Sequence, residues 1–306
     1  MDTELIKTHD AALGIFYAQS RSDERSLAMS YFISDIKKLY KSRMVQLVLL
    51  LLGIVAVADP LFVRFVYGKQ PGFFEQVGAN PFQFWLLMNS SGWGHTMYRT
   101  LLFVFPVLST GLIFFYERQS SLYELLVSRK SRIQYLSSKA IAVFVTAFLN
   151  FALILGLNLV VTNLCFSAAA PLTEQYNYLI PKTGSFAEVF YQISPLAMEM
   201  AYVLLNALAL ALLAVLALGI QMAFRFPNHY IAFLAPFVVL YAVNYAEGLL
   251  LANQMQYNLS VIIQPRAASS LSVCITTADL LLVFGSLFAV VAAVLLIGFK
   301  RNRDVL

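Results

Sequence analysis

The chain has 306 residues, of which 60% are hydrophobic and only 12% charged, about half the charge of an average soluble domain. That balance excludes a soluble globular enzyme and describes an integral membrane chain. A net charge of +5 does not indicate nucleic acid here, because the basic residues lie beside apolar runs rather than on a soluble domain.

The N-terminus opens polar, "MDTELIKTHD", and the first 43 residues lack the apolar core of a cleavable signal. Residues 1–43 are therefore expected to form a cytoplasmic segment, with insertion directed by internal spans. Within it, residues 24–43 place Leu27, Phe32, Ile36, Leu39 and Tyr40 near helical spacing, with Asp35, Lys37, Lys38 and Lys41 toward the other side. That pattern predicts an amphipathic helix in the inner interface, its lysines near anionic lipid heads.

Residues 44–306 read as a six-span transmembrane domain, since about 20 apolar residues cross a hydrocarbon core of ~30 Å. The six stretches are 44–63, 99–116, 140–164, 200–223, 230–252 and 279–299, each expected to be helical because lipid offers no partner to a bare backbone group. The fold class is thus all-α. Two apolar patches, "PFQFWLLM" at 81–88 and "LSVII" at 259–263, are too short to cross and read as interfacial or re-entrant pieces.

With the N-terminus inside, 16 of the 21 Lys and Arg fall on cytoplasmic pieces, which places both termini in the cytoplasm. Three outer loops, about 64–98, 165–199 and 253–278, carry aromatic and amide residues. Trp85 and Trp93 are expected at headgroup level. The tripeptides "NSS" at 89 and "NLS" at 258 match glycosylation sequons, which matter only in a eukaryotic host.

Polar groups inside spans are costly and usually face a bundle interior or a cavity. Asp59 beside Pro60, Asn150, Asn158, Asn206, Gln221, Asn244 and Glu247 are the candidates. The amides are read first as interhelical hydrogen bonds; Asn244 and Glu247 are expected near the outer half of a translocation path or in support of the loop that closes it. Glu199, at the start of the fourth span, is expected as a solvated charge at the outer interface. Cys165 and Cys274 show no paired spacing and read as small apolar fillers. His9, His95 and His229 lie too far apart to suggest a metal site. No catalytic motif appears, so an enzyme is not expected.

The stretch 117–139, "ERQSSLYELLVSRKSRIQYLSSK", holds seven charges between apolar runs. Leu122, Leu125 and Leu126 fall at i, i+3 and i+4, one apolar stripe on a short polar helix, followed by Arg129, Lys130, Arg132 and Lys139. Such a stripe needs lipid, neighbouring helix ends or a groove on a partner.

This run resembles the segment after the second span of ABC-2-type transporter permeases: a Glu, then Gly-Thr-Leu, Leu-Leu-x-Ser-Pro, Ser-Arg and a Lys. Glu117 matches the acidic position, Leu122 the Leu, Leu125, Leu126 and Ser128 the Leu-Leu-x-Ser, Ser131 and Arg132 the Ser-Arg, and Lys139 the Lys. Ser121 stands for the Thr, Ser120 for the Gly and Arg129 for the Pro. The resemblance implies a cytoplasmic coupling helix that docks on a separate ABC ATPase subunit. It implies a dimer with a second permease copy or homologue, export of amphipathic cargo such as peptides, lipids or drugs, and a bacterial plasma membrane. Glu117, Leu122, Leu125, Leu126, Ser128, Arg129, Lys130 and Arg132 are then the docking residues. No G-x-x-x-x-G-K-[ST] loop occurs in the chain, so ATP and Mg would be bound by the partner and no cofactor by this chain. Two other readings stay open: an ion-gradient-driven transporter or channel, and a membrane sensor or scaffold that recruits a cytoplasmic partner.

Overall fold

The computed structural model describes residues 32–69, 81–89, 92–110, 112–120, 132–166, 180–265 and 274–302, with Arg132 as backbone only. Every regular element among them is helical. Helix α1 spans residues 32–41. It is followed by α2 (Arg43–Tyr67), α3 (Pro81–Phe84), α4 (Trp93–Thr100), α5 (Val104–Ser109), α6 (Ile113–Gln119), α7 (Arg132–Cys165), α8 (Phe186–Ile193), α9 (Pro195–Ala223), α10 (His229–Leu250), α11 (Leu259–Ile262) and α12 (Thr277–Arg301).

Five of these, α2, α7, α9, α10 and α12, are long and apolar enough to cross a membrane; the chain is an all-α integral membrane protein. Three of the five, α9, α10 and α12, start with a capping side chain. Ser194 accepts from the Ala197 amide with Pro195 at the first helical position, and Asn228 accepts from the Ile231 amide. Thr276 and Asp279 close a reciprocal capping box. Each device satisfies amides that a helix start leaves without partners.

Helix α9 is the centre of the bundle: 89% of its apolar window is buried, against 11% for α10 and 17% for α12. Its run "NALALALLAVLALGIQ" is rich in small residues, which let neighbouring backbones approach where lipid provides no hydrophobic drive. The closest crossing is with α12. A Cβ added at Gly298 would lie 2.9 Å from Met222 Cβ, and one at Gly219 would lie 3.0 Å from a Val294 methyl. Below that crossing the two helices end together. Asn302 Nδ2 donates to Met222 O at 2.9 Å and the Arg301 guanidinium to Ala223 O at 2.9 Å, so the last carbonyls of α9 are satisfied by its neighbour.

The stretch 99–116 departs from the continuous helix expected of it. It is divided between the end of α4, α5 and α6, with turns at 101–103 and at Thr110 and Leu112. Pro106 has no amide to give. Ser109 and Thr110 donate their hydroxyls back to Pro106 O and Val107 O at 2.7 and 2.8 Å, and Leu112 sits in the left-handed region at φ 52°. Gln221 of α9 donates to Thr110 Oγ1 at 3.3 Å, which ties the break to the central helix. The broken stretch nonetheless runs back along α2. Gly94 of α4 touches Asp59 near one end of α2, and Glu117 of α6 meets Lys139 and Lys38 beside its start. From Arg43 to Asp59 is roughly 24 Å of helix at 1.5 Å per residue.

The patch 81–88 is packed inside the bundle. Trp85 is fully buried, as are Leu86 and Leu87, so Trp85 is a core residue and the expectation of a headgroup position is corrected; Trp93 is half-buried. Asn158 of α7 holds this piece, accepting from the Leu86 amide at 3.0 Å and donating to Ala56 O of α2 at 2.8 Å. His95 Nδ1 lies 2.9 Å from Leu86 O. The second short patch, 259–263, is likewise buried as α11 and the residue after it. Cys165 packs with Val63, Phe84 and Phe166, and both cysteines are free thiols.

At the α2–α4 contact, Asp59 Oδ1 accepts from the Gly94 amide at 2.9 Å, and a Cβ at Gly94 would fall 2.6 Å from the Asp59 carboxyl carbon. Gly94→Ala should therefore push the carboxylate off its amide and cost about 1–3 kcal/mol. A melting temperature in detergent equal to that of the parent protein would contradict this contact.

Candidate functional site

Two places gather the polar groups of the bundle. The first is a buried ion cluster where α1, α6 and α7 meet. Asp35, Glu117 and Lys139 are all buried, Lys139 completely. Lys139 Nζ lies 2.7 Å from Glu117 Oε2 and 3.2 Å from Asp35 Oδ1. Lys38, whose side chain keeps 42% exposure, completes the group at 2.8 Å from Glu117 and 3.8 Å from Asp35. The Tyr135 hydroxyl donates to Glu117 Oε2, and the Lys139 ammonium stands 5.1 Å from the Tyr135 ring centre. Two carboxylates and two ammoniums balance, which is what buried charge requires.

The sequence explains the convergence only in part. Leu39 is fully buried while Lys37, Lys38 and Lys41 are exposed, as an amphipathic α1 predicts. Asp35 is the correction: it was placed with the lysines on the outer side, yet it is buried because Lys139 reaches it from α7, 104 residues away. The Tyr40 hydroxyl adds a second tie from α1 to α7, donating to Asn150 Oδ1 at 3.0 Å.

The two carboxylates sit differently. Burial raises the Asp35 carboxyl above its ordinary range, against the pull of Lys139. Burial also acts on Glu117, but Lys139, Lys38 and Tyr135 outweigh it and hold that carboxyl below its ordinary value of 4.5. Glu117 has the shorter contacts, so the first proton taken up on acidification goes to Asp35. A lowered carboxyl contributes stability that is present above its unfolded value and lost as pH falls through the folded one. Asp35 acts in the opposite sense, its burial opposing folding as pH rises past 3.8. We expect the melting temperature to drop as pH is lowered below about 4.5, and to drop less in Glu117→Gln; equal acid limbs would contradict the assignment.

Of the predicted docking residues, Glu117 is described; it is buried and paired to Lys139 at the other end of the segment 117–139. The C-terminal part of the segment forms the first turns of α7. Leu122, Leu125, Leu126, Ser128, Arg129 and Lys130 lie outside the described residues, as does the side chain of Arg132. Next to the ion cluster opens a cleft of about 800 Å³ whose walls include Lys38, Lys41, Arg43, Tyr116 and Glu117.

The second place is a cavity of about 500 Å³ between α9, α10 and α12. Asn244 and Glu247, expected from the sequence near a path or in support of the loop that closes it, both line it. Apolar side chains make up most of the wall, with Phe103, Phe224 and Tyr257 supplying ring faces and Ser286 a hydroxyl. The Glu247 carboxylate lies near the Leu259 amide at the start of α11, an amide that the helix itself leaves open. The Asn244 carbonyl oxygen is buried with no hydrogen-bond partner among the described residues.

The remaining intramembrane amides are used within the fold. Asn206 of α9 is a three-way junction: it accepts from the Tyr98 hydroxyl at 3.1 Å and donates to Ile263 O at 2.7 Å and Tyr202 O at 2.8 Å. Glu199 departs from the solvated position expected of it. It is only 3% exposed, with one carboxylate oxygen lacking a hydrogen-bond partner among the described residues, because α8 folds back against the first turns of α9. Among the described residues no three His, Cys, Asp or Glu side chains come together in a way that could hold a metal ion.

Comparison with protein-family models, with curated proteins and with solved structures finds no match. The functional reading therefore rests on the residues and their geometry.

Proposed function

We propose that this chain is the transmembrane permease subunit of an ATP-driven exporter, with the segment 117–139 docking on a separate ATPase subunit. The observation that carries the reading is the ion cluster. The segment begins at Glu117 and ends at Lys139, and these two residues are bonded to each other and to α1. A partner that pushes on the segment between them acts on a base fixed at both ends, and the motion passes to α1, and through Ser42 to α2. Leu122, Leu125 and Leu126 fill the partner's groove, while Arg129, Lys130 and Arg132 orient it. Glu117 serves by anchoring the segment, its carboxylate being engaged inside the chain.

Six crossings follow in this reading, the second made by the broken stretch α4 to α6 running back beside α2. Interruptions of this kind are tolerated at membrane depth where neighbouring helices satisfy the freed groups, as Gln221 does for Thr110. Both termini are then cytoplasmic, a second copy or homologue completes the path, and ATP with Mg is bound by the partner.

The gradient-driven alternative draws on one observation, a single carboxylate, Glu247, in the cavity wall. Purification in a mild detergent from the native cells, with mass spectrometry of what accompanies the chain, separates the two. A stoichiometric soluble chain bearing a G-x-x-x-x-G-K-[ST] loop is the expected result. Repeated recovery of the chain alone would favour the gradient-driven reading.

A further inference from the structure

The cavity between α9, α10 and α12 has a chemical bias. Among the described residues Glu247 is the one charged residue in its wall, and no Lys, Arg or His lines it. Asn244 stands three positions before it on α10, so the two share a face with Cβ atoms about 5–6 Å apart. Both offer acceptors: a carboxylate beside the Leu259 amide, and an amide oxygen buried without a hydrogen-bond partner among the described residues. Two aromatic residues of the wall, Phe103 and Tyr257, can add cation–π attraction, whereas Phe224, at the other end of the cavity, already carries the Arg301 guanidinium over its ring. The rest of the wall is aliphatic, and about 500 Å³ lies within the range of sites that enclose a small organic molecule.

We propose that this cavity binds a cationic amphiphile, a molecule with an apolar body and an ammonium or similar onium centre, with the cation held at Glu247 and Asn244. The proposal deepens the exporter reading and rests on this cavity being part of the translocation path. An ionised carboxylate in an apolar wall is costly when one amide is its support, and a ligand cation supplies the missing counter-charge. An anionic amphiphile of equal size meets a like charge and no cation among the described wall residues. A neutral one gains the wall but leaves Glu247 without a counter-charge.

The test needs no ATPase, so it succeeds or fails independently of the exporter reading. The full chain is placed in nanodiscs of zwitterionic lipid, and saturable binding above protein-free discs is measured for tetraphenylphosphonium and for tetraphenylborate, which share shape and size but differ in charge. Saturable binding of the phosphonium alone, weakened at least tenfold by Glu247→Gln, is the expected result. Gln keeps the size of the side chain. Equal saturable binding of both ions, no saturable phosphonium binding, or an unchanged affinity in Glu247→Gln would each overturn the proposal. The comparison of the two ions on the unaltered protein stands even if the variant does not fold.

Discussion

Replacing Lys139 by Met should destabilise the protein by about 3–5 kcal/mol, among the largest effects a single surface-neutral change in size can have, because it leaves two buried carboxylates without their shared ammonium. Lys139 is completely buried and lies within 3.2 Å of both Asp35 and Glu117. Lys38 remains to serve Glu117, but from a half-open position, and its 3.8 Å approach leaves Asp35 weakly served. Removing the carboxylates as well should reverse most of the loss, since an apolar or neutral replacement of a whole buried ion group is often close to neutral. The triple variant Asp35→Asn, Glu117→Gln, Lys139→Met is therefore expected to melt much nearer to the parent than Lys139→Met alone. Melting curves in one detergent decide it. A Lys139→Met protein as stable as the parent would mean that the cluster does not hold α1, α6 and α7 together.

The second large effect concerns coupling rather than stability. Leu125→Asp puts a charge in the middle of the apolar stripe Leu122, Leu125 and Leu126, where a partner groove would have to desolvate it, a substitution that costs several kcal/mol in a packed apolar contact. We expect transport-coupled ATPase activity to be abolished while membrane insertion and the melting temperature stay at parent values. The two variants thus separate two jobs. Lys139→Met loosens the base of the segment and lowers stability, whereas Leu125→Asp spoils the face the base presents. Coupling that survives Leu125→Asp would remove the docking claim.

The spans legible in the sequence are the long apolar runs that continue as one helix. Residues 44–63, 140–164, 200–223, 230–252 and 279–299 all fall within or close to the long helices, with Pro60 and Pro236 accommodated inside two of them, because in lipid the length of an apolar run and the obligation to satisfy its own backbone leave one solution. Residues 99–116 have the same hydropathy but also Pro106, Ser109 and Thr110, and there the hydroxyls bond back to the chain and the helix divides. The interruption was visible as residue types, yet its consequence depended on Gln221 arriving from α9 to support it. Periodicity placed Leu39 inward correctly and Asp35 outward wrongly for a related reason. The spacing along α1 says which face is apolar, but not that α7 will bring an ammonium to the other. Trp85 and Glu199 were missed on the same ground, since burial of an aromatic ring or a lone acid is decided by segments distant in sequence.

Asn244 and Glu247 illustrate the opposite case. Three residues apart on a helix, they share a face, and polar groups in a span usually face a bundle interior or a cavity; both line the cavity between α9, α10 and α12. Asn206 and Asn158 carried the same intramembrane signal and turned out to be structural junctions. An amide fits a protein carbonyl as well as it fits a ligand, so residue type alone does not separate the two uses.

The central claim is that the segment between Glu117 and Lys139 rests on an ATPase. Its most direct test is a photo-crosslinking side chain placed at Leu126 in the full chain, activated in native membranes, with the captured product identified by mass spectrometry. The account predicts a crosslink to a soluble chain bearing a phosphate-binding loop, lost when Leu125→Asp is introduced on the same chain. Crosslinks only to lipid, or only to other copies of this protein, would contradict it.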